Sequence, residues 1–197
     1  MKLNVKDLTV NRQTFTAYQV TLTPIAREHQ HVLRHWRNDP EIQQQMFSAN
    51  YITEEQQLAW FDRINDCNTQ WHWIVSYKGE FIGSTNIKAI EKGQSVVESQ
   101  TLEAGLYIGD ARYKGNVLAF APTLAMYDFC FENLATKEFK ALVKTTNIAA
   151  INYNEKLGYK IQAQSPDTDV CEMILTEQDY RLNTTVLKQL LSRAKKQ

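Results

Sequence analysis

The run "TLEAGLYIGDARYKGNVLAFAPTLAMYDFCFENL", residues 101–134, contains the change of period that decides the fold. At its start Leu102, Ala104, Leu106 and Ile108 fall on one face and Glu103, Gly105 and Tyr107 on the other, the alternation of a strand. Its end, "VLAFAPTLAMYDFCFENL", is nearly all apolar and too long for a strand, so it predicts a buried helix. Between them lies "GDARYKGN" (109–116). A strand, a basic glycine-containing loop and an apolar helix in succession suit a diphosphate. Amides at a helix start point outward unpaired, and the helix dipole adds partial positive charge. Glycine admits the ligand close to the backbone, and Arg112 and Lys114 can neutralise its oxygens. The loop matches neither GxxxxGK[ST] nor GxGxxG. Pro122, inside the apolar helix, predicts a kink.

Working outward, residues 2–10 and 14–23 read as two early strands joined by "NRQ". Residues 26–38 carry Ala26, His29, Val32, Leu33 and Trp36 at helical spacing, and "DP" at 39–40 ends that helix and starts another. Thr53 with Gln56 predicts a capping box ahead of a third helix. "WHWIVSY" (71–77) and "FIGSTNIKAI" (81–90) flank "KGE" as a hairpin. Beyond the apolar helix come a strand in "FKALVKT", a helix in "NIAAINYNEKLG" closed by Gly158, two strands in "YKIQAQ" and "CEMIL", and a C-terminal helix opened by Thr176. The order predicts one α/β (α+β) domain over 1–197, with a mixed sheet of about seven strands and helices on both faces. Residues 1–23 form its N-terminal strands and 176–197 its C-terminal helix.

Lys+Arg and Asp+Glu both number 22, so no net basic field recruits nucleic acid or a membrane surface. Cys67, Cys130 and Cys171 are odd in number and widely spaced, a poor disulfide framework without zinc-site spacing, which suits a reducing cytoplasm. His31 and His35 lie four apart but lack a third ligand, so no metal is expected. The start, MKLNVKDLTV, lacks the apolar core of a signal peptide, and a soluble intracellular protein is expected.

Two blocks resemble the GNAT N-acyltransferases. "RYKGNV" (112–117) is similar to that family's coenzyme A loop, [Q/R]-x-x-G-x-[G/A], at Arg112 and Gly115, with Val117 where the family has Gly or Ala. A β-branched residue there is expected to crowd the diphosphate. "NIAAINYNEKLGY" (147–159) resembles a later block at Asn147, Ala150, Gly158 and Tyr159. The resemblance implies a GNAT fold splayed between strands 101–108 and 139–144, where the pantetheine arm of acyl-CoA pairs as an extra strand. It places Tyr107, Ile108, Arg112, Tyr113, Lys114, Gly115, Asn116, Val117, Asn147 and Asn154 at coenzyme A, and an oxyanion donor at a backbone N–H near Tyr107 or Ile108.

The amine then attacks the thioester directly and needs a base, which the resemblance puts at Glu103, with His72 second. Relatives commonly carry an acidic tyrosine seven residues after Asn147; here that residue is Asn154, on the same helix face as Asn147. An amide is no general acid, but Asn154 can hold a water or donate a hydrogen bond to the leaving thiolate, so solvent-relayed protonation or none at all is expected, with Tyr153, about 100° round the helix, as the remaining candidate acid.

"HWRNDPEIQQQMF" (35–47) followed by "ITEEQQLAWF" is similar to GNAT enzymes that acylate nucleotide-linked amino sugars, both those of the pseudaminic-acid pathway and those acting on dTDP-linked 3-amino-3,6-dideoxyhexoses. That likeness implies an amino-sugar acceptor linked to dTDP or UDP, used in surface-glycan synthesis such as lipopolysaccharide or capsule, with acetyl or 3-hydroxybutyryl as the acyl group. Arg37 would fork onto the diphosphate, Asn38 would read a base or hydroxyl, and Phe47, Trp60, His72 and Trp73 would wall the acceptor. A homodimer through exposed early strands fits the resemblance. Two other readings stay open: a protein N-terminal or small-amine acetyltransferase, and a GNAT-fold partner protein deficient in coenzyme A binding.

Overall fold

The computed structural model describes residues 13–48, 50–164 and 169–193, and the strand expected over 2–10 lies outside them. The stretch 14–23 is not one strand but two: β1 (Phe15–Ala17) turns back into β2 (Val20–Pro24). Tyr18 and Gln19 make the turn with φ of 52° and 70°, the two-residue type that matches strand twist. Neither residue is a usual choice there, and distant partners hold both. The Tyr18 hydroxyl donates to the Asp128 carboxylate, and Gln19 Nε2 donates to the Leu191 carbonyl at 2.7 Å.

Three helices follow, α1 (Gln30–Arg37), α2 (Pro40–Gln45) and α3 (Glu54–Asn65). Asp39 caps α2 ahead of Pro40, and Thr53 and Gln56 form the expected reciprocal capping box on α3. Then come β3 (Gln70–Tyr77), β4 (Glu80–Ala89), β5 (Thr101–Ile108), α4 (Ala121–Asn133), β6 (Glu138–Lys144), α5 (Ile148–Leu157), β7 (Lys160–Gln164), β8 (Val170–Thr176) and α6 (Glu177–Ser192). Pro122 is the second residue of α4, because a 3-10 turn over Val117–Phe120 precedes the helix proper. In a first turn its missing N–H breaks no intrahelical bond, so the expected kink has no cause.

The sheet runs β1-β2-β3-β4-β5-β6-β8-β7. Every neighbouring pair is antiparallel except β5 and β6, which are parallel and joined at three positions only, Thr101–Glu138, Leu102–Phe139 and Glu103–Lys140. By contrast, β4–β5 and β6–β8 each keep seven paired positions. Two cores cover the faces. On one side Trp73, Ile82, Leu102, Phe139 and Tyr180 pack with Leu124 and Met126 of α4. On the other, Ile74 meets Leu33, Trp36, Ile42, Phe61 and Ile64 from α1–α3. Trp73 is 0% exposed and its Nε1 donates to the Gln13 carbonyl at 3.3 Å, so the expectation that it walls a substrate is wrong: its strand parity turns it into the core.

Asp128 of α4 ties three elements together. Besides Tyr18 from the hairpin turn, its carboxylate accepts from the Tyr180 hydroxyl at 2.9 Å and from Lys188 Nζ at 2.5 Å, both on α6. Asp128→Ala strands the Tyr18 hydroxyl and the Lys188 ammonium around a mostly buried position and leaves the Tyr180 hydroxyl the Leu124 carbonyl alone. It is expected to lower unfolding stability by about 3 kcal/mol, read from urea denaturation.

Candidate functional site

The parting of β5 and β6 opens a cleft of about 550 Å³. Gly109 donates to Ile82 and Ile90 donates to Thr101, so the odd-numbered residues of β5 give their backbone groups to β4. The even-numbered residues therefore face β6, and beyond the last rung Leu106 and Ile108 direct N–H and C=O groups into the gap. Opposite them, the bond from Glu177 to Lys137 and the β6–β8 register make Leu142 do the same. This corrects one expectation: the Tyr107 N–H belongs to the β4 ladder, and Ile108 has the amide that faces the gap.

From below, α4 presents Thr123, Met126 and Tyr127 to the cleft. Their i, i+3, i+4 spacing puts them on one helix face. From the side, α5 presents Asn147, Ala150, Tyr153 and Asn154. Asn147 caps α5 through Oδ1, which accepts from the Ala150 N–H at 3.0 Å, and Asn154 reaches Met173 Sδ at 3.7 Å. Tyr153 is braced: its ring stacks on Phe120 at 4.4 Å, and its hydroxyl bonds to Thr123 at 2.7 Å and donates to the Ala119 carbonyl at 3.2 Å. Burial raises the Tyr153 phenol above its ordinary range.

At the mouth, Gly115 adopts φ +68°, a conformation that a side chain would strain, and it lines the cleft with Lys114. The Asn116 side chain accepts from the Leu118 N–H at 2.7 Å, and the amides of Gly115 and Val117 have no acceptor among the described residues. Val117 is 40% exposed and outside the lining. Arg112 is also outside the lining. Its guanidinium grips the Asp110 carboxylate at 2.6–3.1 Å and Glu80 at 2.6 Å, and it lies over the Tyr113 ring, which packs on Tyr77. Arg112 in turn holds the Asp110 carboxyl below its usual range. Lys114 is the cation that remains at the mouth, and it pairs with Glu41 of α2 at 2.8 Å. Across the gap, Lys144 donates to the Gln44 carbonyl at the other end of α2 at 3.1 Å.

Above the cleft, Ile42, Met46 and Phe47 close one wall, and Phe47 is 63% exposed. Tyr107 lines the cleft with its ring edge-on to Trp36 at 6.3 Å. Burial pushes its phenol up to about 12, against Ser84 and Arg37, which act the other way. Other predicted acceptor contacts are not brought in. Asn38 is clamped on Ile52, donating to its carbonyl and accepting from its N–H, both at 2.8 Å. Trp60 stacks edge-on against His72 at 5.0 Å, and His72 bonds to Gln70 at 3.0 Å, two strands away from the gap. Arg37 and Glu103 are half-buried and outside the lining. Glu103 stands at the last β5–β6 rung, in register with Lys88 and Lys140. Sequence reasoning missed Tyr127 as a lining group, and it named Tyr159 only as a motif match. Their hydroxyls bond to each other at the inner end of the cleft.

Among the described residues no group of His, Cys, Asp and Glu is arranged to hold a metal ion, and no helix is long and apolar enough to cross a membrane.

Residues 19–160 match the acetyltransferase (GNAT) domain. Solved structures with this fold include the spermidine N-acetyltransferase of Vibrio cholerae in complex with CoA and spermine, with TM-score 0.70 and 18% identity over 83% of this chain and 98% of that one. An aminoglycoside acetyltransferase in complex with coenzyme A gives 0.69 and 19% over 84% and 99%. FdhC, a nucleotide-linked sugar GNAT, gives 0.73 and 13% over 92% and 99%. At these identities the likeness is one of fold. No curated protein sequence matches the chain.

The clamp on Ile52 makes Asn38 a structural residue of the loop above the cleft. Asn38→Ala removes two hydrogen bonds and is expected to cost about 2 kcal/mol in a urea titration. A variant as stable as the parent would free Asn38 for another role.

Proposed function

The chain belongs to the GNAT acetyltransferase family, a coenzyme A-dependent N-acyltransferase, and on that premise we propose that its acceptor is the amine of a nucleotide-linked deoxyamino sugar. The cleft fits an acyl-CoA by its own features: unpaired backbone groups on both sides of a strand gap, a left-handed glycine, and two unclaimed amides at the mouth. Gly115, Asn116 and Val117 would hold the diphosphate through their backbone, with Lys114 supplying charge. Arg112 and Tyr113 would act by fixing the loop, since Asp110 and Glu80 occupy the guanidinium. Leu106, Ile108 and Leu142 would pair with the pantetheine amides, beside Asn147 and Asn154. The carrier supplies an activated acyl thioester.

Phe47 carries the acceptor class. A large aromatic left 63% exposed on a cleft wall has no packing reason to be there, and it offers a face to a deoxysugar or base. The fold of FdhC, a nucleotide-linked sugar GNAT, agrees with this reading. Arg37, close enough to Tyr107 to influence its ionisation, would meet the sugar nucleotide's phosphates from the α1 side. Glu103 is the base in this proposal: its strand face is that of Gly105 and Tyr107, directed toward α1–α3, the side from which an acceptor reaches the gap. The Ile108 N–H would receive the oxyanion. One observation favours a second reading, a cationic small amine: Glu41 puts a carboxylate on the cleft lining.

Thiol release from acetyl-CoA and 3-hydroxybutyryl-CoA over a panel of dTDP- and UDP-amino sugars, spermidine, kanamycin and peptides decides the acceptor. The expected result is turnover with a sugar nucleotide; turnover confined to spermidine, kanamycin or peptides overturns it. Glu103→Gln is expected to lower kcat about 100-fold and to flatten the acidic limb of the pH profile. Lys114→Ala is expected to raise the KM for acyl-CoA about tenfold, a loss near 1.4 kcal/mol, with kcat nearly unchanged.

A further inference from the structure

Tyr127 and Tyr159 are 3% and 4% exposed, yet both line the cleft, at its inner end. Tyr127 comes from α4, where its ring stacks on Phe139 at 3.9 Å, the β6 residue that pairs with Leu102 just before the strands part. Tyr159 follows the left-handed Gly158 that ends α5, and its own N–H returns to the Asn154 carbonyl at 3.1 Å. The pair lines the same cleft as Asn154, the α5 position that lacks an acidic group of its own.

The hydrogen count is what makes the pair unusual. Two phenols hold two O–H protons, and the bond between them uses one. Among the described residues no other atom accepts from either hydroxyl. The cleft tyrosine Tyr153 and the core tyrosine Tyr180 instead give theirs to Ala119 and to Leu124 or Asp128. A buried O–H without an acceptor costs about 1–3 kcal/mol, so the spare proton is held for something in the cleft. Burial raises both phenols, and the Tyr127 hydroxyl acts in the opposite direction on Tyr159. Tyr127 is packed by the rings of Phe131, Phe139 and Tyr180, whereas among the described residues Tyr159 meets only the Tyr127 ring, so Tyr159 is the member placed to give its proton to the cleft, with Tyr127 donating to the oxygen left behind.

We propose that Tyr159, supported by Tyr127, is the general acid that protonates the departing thiolate. The inference rests on the acyl-transfer reading of the cleft and not on the identity of the acceptor. In the step, the bond from the acceptor nitrogen to the acyl carbon forms and the carbon–sulfur bond breaks. The sulfur keeps the electron pair and takes the Tyr159 proton. The phenolate is stabilised by the Tyr127 O–H and is reprotonated by the second proton, which the nitrogen sheds as the amide forms, while the first, taken from the ammonium by the base, leaves to solvent. This replaces the expectation of solvent-relayed protonation and leaves Tyr153 as a brace between α4 and α5.

The test uses free coenzyme A, which needs no acceptor. Ionisation of its bound thiol is followed by thiolate absorbance against pH in the full-length protein and in Tyr159→Phe, Tyr127→Phe and Tyr180→Phe. A phenol that donates to the thiolate stabilises it, so Tyr159→Phe is expected to move the bound thiol's midpoint up by about one pH unit. Tyr127→Phe moves it up by less. Tyr180→Phe, which deletes a hydroxyl from a core ring whose centroid lies 5.6 Å from that of Tyr127, leaves it in place. Single-turnover acyl transfer in Tyr159→Phe is expected to fall about 100-fold with coenzyme A affinity retained. An unmoved midpoint in Tyr159→Phe overturns the proposal. So does an equal shift in Tyr180→Phe, which would mark a general core effect, or loss of coenzyme A binding in Tyr159→Phe, which would make the hydroxyl a binding group. Should Tyr159→Phe fail to fold, Tyr127→Phe carries the same test. Turnover with an acceptor other than a sugar nucleotide leaves this assignment standing.

Discussion

Two neighbouring parallel strands that stop bonding after three rungs are the constraint on which the rest of this molecule depends. Each N–H or C=O that loses a ladder partner inside a fold costs about 1–3 kcal/mol unless something else bonds to it. At Leu106, Ile108 and the exposed Leu142 the open cleft leaves these groups to solvent, and the flanking strands prevent the gap from closing. β5 is held outward by its full ladder with β4, and β6 by its full ladder with β8. Beneath them Thr123, Met126 and Tyr127 of α4 form a floor, and Asn147 sets α5 against the open side. The unpaired groups on both sides of such a gap match an extended molecule with its own amides, which is the basis of the acyl-carrier proposal.

The mouth is tuned by weak contacts. α2 is tied at one end to Lys114 on the loop after β5 and at the other to Lys144 at the end of β6, so one short helix bridges both sides of the split. Exposed ion pairs of this kind are worth about 0–1 kcal/mol, so a diphosphate can exchange with Glu41 for Lys114 at little cost. Arg112 is different. Two carboxylates, Asp110 of the same loop and Glu80 of β4, engage its guanidinium.

The architecture was readable wherever a local rule set it: the period change at 101–134, the capping box at Thr53, the cap at Asn147 and the stop at Gly158. The misses share a cause, which is that distant partners decided them. Tyr18 and Gln19 turn the chain because Asp128 and the Leu191 carbonyl hold them, a preference invisible in a five-residue window. Trp73 read as a ligand wall because strand parity names two faces without saying which is core. Arg112 and Asn38 have the right chemistry for phosphate and base recognition, but Asp110, Glu80 and Ile52 had already engaged them. The Tyr127–Tyr159 contact joins residues 32 apart, and no spacing rule connects a helix interior to a strand start in that way. The backbone of the proposed cofactor side, with its left-handed Gly115 and the Asn147 cap, was therefore legible, because motifs encode backbone conformation. The acceptor side was not, because it is assembled from side chains of separate elements.

Amide hydrogen exchange of Leu106, Ile108 and Leu142, with and without coenzyme A, measures the gap most directly. These amides are expected to exchange fast in the free protein, relative to the paired amides of β4 and β8, and to become strongly protected when the carrier lies between the strands. Equal protection in both states would mean that β5 and β6 are closed and that the cleft described here is not the acyl-carrier site.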